Sequence, residues 1–112
     1  MRNNILWLIG AGLAIIQILL GNSMVFFGVS SILFYFHFIL AVLILIVCIY
    51  GIRVTKEVRR RIVLGNLFLL IVTSIIGGIY TLYPNIYLLL FHLFLALGIV
   101  SNFSVLYGMD RD

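Results

Sequence analysis

Two imidazoles stand out in an otherwise apolar chain of 112 residues: His37 and His92, its only histidines. Each belongs to a repeated pattern. In the first copy Gln17-Ile18-Leu19-Leu20-Gly21 leads to Phe36-His37-Phe38-Ile39-Leu40-Ala41; in the second Thr73-Ser74-Ile75-Ile76-Gly77 leads to Phe91-His92-Leu93-Phe94-Leu95-Ala96. A polar residue four positions before a glycine is thus followed in both by Phe-His-x-x-x-Ala, at a period of about 55 residues. Neutral imidazole is a good axial ligand for heme iron, and helical bundles commonly grip cofactors with side chains from facing helices. His37 and His92 are therefore candidate iron ligands, with a b-type heme the expected cofactor. Gln17, Gly21, Thr73 and Gly77 are candidate cofactor-lining residues.

The elements that position them follow from charge. Hydrophobic residues make up 65% of the chain and charged residues only 9%, a composition outside the soluble globular range. The charges fall into three clusters: Arg2; Arg53, Lys56, Glu57, Arg59, Arg60 and Arg61; and Asp110, Arg111 and Asp112. Between them lie two charge-free stretches, 3–52 and 62–109, each twice the roughly 20 residues that one bilayer crossing needs. Each must fold back as a helical hairpin. The sequence predicts an all-α membrane four-helix bundle, residues 1–112 forming one domain, with helices near 5–27, 31–52, 62–82 and 86–108 and hairpin repeats at 5–52 and 62–108. Phe27-Gly28-Val29-Ser30-Ser31 and Tyr83-Pro84-Asn85 mark the hairpin turns, the second holding the only proline, which lacks a backbone donor.

The central loop carries five basic residues and one acidic one, so it is expected in the cytoplasm, with both termini beside it and the uncharged turns outside. A cell-membrane location is expected. The loop reads as a topology anchor in preference to a nucleic-acid or acidic-lipid site, and no nucleic-acid partner is expected. Arg2 before an apolar run has the outline of a leader peptide, but no Ala-x-Ala site follows and the run is half of the repeat, so it is read as the first span. Cys48, the only cysteine, reads as a small packing residue.

Because both hairpins run in the same sense, the repeats are parallel, related by an axis along the membrane normal. Both histidines then sit about six residues into their helices, roughly 9–10 Å below the outer ends at 1.5 Å per residue. Polar side chains inside a span usually face the bundle interior. Gly10, Gly12, Ala14, Gly21, Gly77 and Gly78 permit close helix approach. Phe34, Tyr35, Phe36, Phe38, Phe91 and Phe94 are available to wall a porphyrin, and Tyr80, Tyr83 and Tyr87 cluster where an aromatic belt is expected. No basic residue lies on the outer side, so Asn22, Ser23, Ser30, Ser31 and Asn85 are the residues left to meet acidic cofactor groups there.

The Gln17–Gly21 and His37–Ala41 segment, and its repeat ending in His92–Ala96, resembles the half-unit of the heme A synthase family, whose members pair four-helix halves with histidines on the second and fourth helix of each. The resemblance spans nearly the whole chain and corresponds to a single-half form. It implies a heme held by His37 and His92, and a role in converting heme O to heme A or in respiratory electron transfer. The family's catalytic glutamate, one turn before a histidine, is replaced by Phe34 here and by Leu89 in the repeat, and the outer-loop cysteine pair of some members is absent. A base for proton removal is therefore missing from the spans.

Other readings start from the same residues. The histidines serve structure through hydrogen bonds, or relay protons, or contact a quinone. The chain as a whole serves as an accessory subunit of a respiratory (terminal oxidase) complex without heme of its own, as a homo-oligomer or beside other subunits in the lipid bilayer. A small drug exporter matches in length and span number but needs an acidic residue within the membrane.

Overall fold

A computed structural model describes residues 2–111 of the chain. Four helices account for nearly all of them: α1 (Asn3–Phe27), α2 (Ser31–Val54), α3 (Glu57–Leu82) and α4 (Ile86–Asp110). Each is long and apolar enough to cross a membrane. At 24 to 26 residues they run roughly 36–39 Å, and the bundle measures 42 × 23 × 19 Å, enough for a hydrocarbon layer of about 30 Å with its interfaces. Helices are the answer lipid imposes, since an open chain finds no hydrogen-bond partners there.

The ends of the helices have identifiable causes. Ser30 accepts from the Leu33 amide through its hydroxyl, and Asn85 accepts from the Tyr87 amide through its carboxamide, so both hairpin turns hand over to the next helix through an N-cap. Gly28 closes α1 at φ 94°, where a side chain would be strained. At the opposite end Thr55 and Lys56 alone join α2 to α3, a turn tight enough to hold Glu57 at φ 56°. Helix α3 begins five residues before the expected 62, because its first turn carries the arginines beyond the apolar zone while the backbone continues helical.

In cross-section α1 packs on α2 and α4, and α3 packs on the same two, leaving α2 and α4 on one diagonal. The tight core lies wholly towards the basic end. Trp7, Ile44, Cys48, Val63, Asn66, Phe103 and Leu106 are fully buried. Trp7 stacks on Phe103 at 6.3 Å between ring centroids, and both aromatics press on glycines: the ring of Phe103 on Gly10 and that of Trp7 on Gly51. Polar bonds lock the same end. The Trp7 indole N–H donates to Asp110 Oδ2 at 2.7 Å, and Arg59 Nε donates to Asp110 Oδ1 at 2.6 Å, tying α1, α3 and α4 together. Deeper in, Asn66 donates to the Ile99 carbonyl and accepts from Asn102, so its buried carboxamide is satisfied on both sides.

Towards the hairpin turns the packing loosens. No residue between 18 and 43, or between 74 and 98, is buried. The histidines stand where the bundle opens.

Candidate functional site

His37 is the seventh residue of α2 and His92 the seventh of α4. The two caps at Ser30 and Asn85 start these helices at equivalent points, so the side chains descend equally, about 9 Å at 1.5 Å per residue. The two turns, residues 28–30 and 83–85, are equally long, so the one-residue difference in Gly-to-His spacing lies in the end of α1, which runs six residues past Gly21 where α3 runs five past Gly77. Placed on the bundle diagonal, the imidazoles face one another with centroids 6.4 Å apart and planes inclined by 45°.

Each ring lies against the glycine of its own hairpin. A Cβ on Gly21 would come within 3.3 Å of His37 Cε1, and one on Gly77 within 2.9 Å of His92 Cε1 and 3.3 Å of its Nδ1. The repeated glycine therefore makes room for the repeated histidine. That explains why the two recur together.

The polar residue of each repeat orients the same unit, in two different ways. His92 Nδ1 donates to the Thr73 carbonyl at 2.9 Å, which places its proton on Nδ1 and leaves Nε2 as the nitrogen with a free lone pair. Thr73 thus contributes its backbone; its hydroxyl turns back to the Leu69 carbonyl. Gln17 instead reaches across from α1, donating through Nε2 to the His37 carbonyl at 2.7 Å. The His37 Nδ1 and the Gln17 Oε1 are both buried without a hydrogen-bond partner. Orphaned groups of this kind are rare in folded proteins, and here both belong to the candidate site.

The aromatic residues expected to wall a cofactor do not surround the pair. Phe36 and Phe38 flank His37 in sequence yet are 55% and 60% exposed, and Phe94 is 71% exposed. Helical neighbours point about 100° apart, so a histidine turned inward turns the adjacent phenylalanines towards lipid. Tyr83 and Tyr87 are exposed at the turn end, in keeping with an interfacial belt. Of the polar residues available at that end, Ser30 and Asn85 use their side chains as caps and Ser23 bonds back to the Leu19 carbonyl, leaving Asn22 and Ser31.

The 6.4 Å between the ring centroids is the separation that two imidazoles would need to hold one metal ion between them at bonds of about 2.0–2.1 Å. Among the described residues no third His, Cys, Asp or Glu joins them, so a bare ion would hold only half of a tetrahedral protein set. The Thr73 carbonyl on His92 Nδ1 is the outer-shell bond that commonly fixes the tautomer of a ligating histidine.

These features define a membrane four-helix bundle with an inward-facing histidine pair on its diagonal. No family model matches the chain, and no curated protein or solved structure matches it.

Proposed function

We propose that this chain is a bis-histidine heme protein of the membrane, with His37 and His92 as the two axial ligands of one b-type heme. The observation that carries the proposal is the 6.4 Å approach of two imidazoles from diagonal helices, each seated on the glycine of its own hairpin. His92 is oriented by the Thr73 carbonyl, and His37 is held through its backbone by Gln17. A heme bound there supplies one-electron redox chemistry at a potential set by its ligands and its apolar surroundings.

The reading resembles a half-size heme A synthase in outline, with electron transfer favoured over oxidation of a heme side chain. The position of the family's glutamate holds Phe34 in one repeat and Leu89 in the other, and among the described residues the side-chain carboxylates, Glu57 and Asp110, lie at the basic end. Proton abstraction beside the pair therefore has no side-chain base. The proposal sets the protein in the cell membrane with the basic loop and both termini in the cytoplasm, as an electron carrier or a subunit of a respiratory complex.

A second reading draws support from the Thr73 bond: His92 is structurally satisfied without a metal, which suits an accessory subunit holding no heme. Extraction separates the two. Protein purified in mild detergent from heme-replete cells is expected to yield about one heme per chain as the pyridine hemochrome, and His37→Ala and His92→Ala each to lose most of it. Heme-free wild-type protein, or variants that retain full heme, would remove the basis of the proposal.

A further inference from the structure

The face of α2 turned away from the core carries a second arrangement, independent of the histidines. Ile46, Ile49, Tyr50 and Arg53 line a shallow depression of about 300 Å³. Their spacing of three, four and seven places them on one stripe, opposite the core stripe of Ile44, Val47, Cys48 and Gly51. Ile46 to Arg53 spans about 10 Å along the helix, so the stripe runs from the apolar depth of the bilayer to its charged rim. Tyr50, half-exposed, lies between the two.

A second arginine stands at the same end of α2 as Arg53. Arg60, from the first turn of α3, donates through Nε to the Ile52 carbonyl at 3.1 Å, which fixes its guanidinium beside the last turn of α2, where Arg53 lies. Neither arginine has a carboxylate partner among the described residues; the ion pair at this end is Arg59 with Asp110, whose second oxygen is taken by Trp7. A guanidinium held by its Nε keeps its remaining N–H groups for an acceptor, and a phosphate oxygen suits that fork.

From this juxtaposition we infer that the Ile46–Arg53 stripe, closed at its rim by Arg60, is a binding site for an anionic phospholipid. The phosphate bonds Arg53 and Arg60, the Tyr50 hydroxyl meets the glycerol and ester region, and the first methylenes of one acyl chain lie along Ile49 and Ile46. Charge complementarity selects the lipid class, because a zwitterionic headgroup offers no net charge to two unpaired guanidinium groups. The lipid staples the short α2–α3 turn, which is where the two hairpins are joined covalently.

Native mass spectrometry of the detergent-solubilised protein, titrated with phosphatidylglycerol or phosphatidylcholine, tests the site. Wild-type protein is expected to retain one phosphatidylglycerol in preference to phosphatidylcholine, and Arg53→Ala/Arg60→Ala to weaken that retention by roughly 10- to 30-fold. Arg2→Ala/Arg111→Ala, which removes two charges from the same end of the bundle, is expected to leave it within about twofold. Inorganic phosphate at millimolar concentration is not expected to displace the lipid. Equal retention of the two lipids, an equal loss in both double variants, or full displacement by phosphate would each overturn the assignment, the last by showing a free-anion site. Ile46→Asn, which keeps both arginines but breaks the acyl stripe, is expected to lower retention as well; unchanged retention would contradict the proposed lie of the acyl chain.

Discussion

At the scale of single residues, the two glycines under the histidines differ in tolerance. A methyl group on Gly77 would sit 2.9 Å from the His92 ring and force it off the Thr73 carbonyl, whereas on Gly21 the contact with His37 is 3.3 Å. Gly77→Ala is expected to destabilise the protein by about 1–3 kcal/mol as overpacking. Gly21→Ala should cost less, and Gly12→Ala, with open space around its Cβ position, should be neutral or slightly stabilising. Thermal unfolding in detergent checks the order; equal effects at all three positions would mean that the glycines do not serve the rings. The polar partners make a separate contrast. Thr73→Val removes only a hydroxyl that bonds its own helix, so heme content should be unchanged, while Gln17→Leu removes the donor to the His37 carbonyl and should reduce it.

At the scale of helices, the basic end works as a clasp. Trp7→Phe keeps an aromatic ring against Phe103 but loses the indole bond to Asp110 and the distal ring edge that meets Gly51. A loss of about 1–2 kcal/mol is expected, discounted because Arg59 on the far side of the carboxylate is partly exposed. Asn66→Ala leaves Asn102 without its acceptor and should cost about 1 kcal/mol, the usual scale for hydrogen bonds between membrane helices. A melting temperature unchanged by either substitution would count against the clasp. The sequence made the helices themselves legible, because lipid excludes charge so strongly that every Arg, Lys, Asp and Glu marks a boundary. The repeat likewise marks His37, His92, Gly21 and Gly77. What stayed hidden was rotation about each helix axis. Spans that are apolar all round carry almost no amphipathic signal, so nothing in the sequence turned Phe36, Phe38 and Phe94 outward. The Trp7–Asp110–Arg59 connection was hidden for another reason: it joins residues about 50 and 100 positions apart that no local pattern links.

At the scale of the whole molecule, the structure pairs a close-packed basic end with an open turn end and sets the histidines at the transition. Such an arrangement concentrates stability in one half and leaves the other more loosely packed. The orientation proposed for the bundle has its own test. Cys48 is fully buried, so the native protein should not react with thiol reagents until it unfolds. In a Cys48→Ala background, Val29→Cys in the first turn should be labelled by an impermeant maleimide on intact cells, and Lys56→Cys only after the membrane is opened. The reverse pattern would invert the topology.

The central claim, that the two imidazoles share one iron, is tested most directly by electron paramagnetic resonance of the purified ferric protein. The wild type is expected to give a low-spin signal of two imidazole ligands, and His37→Ala or His92→Ala to lose it, with any heme retained becoming high-spin. A high-spin wild type, or a low-spin signal that survives either substitution, would contradict ligation of one iron by this pair.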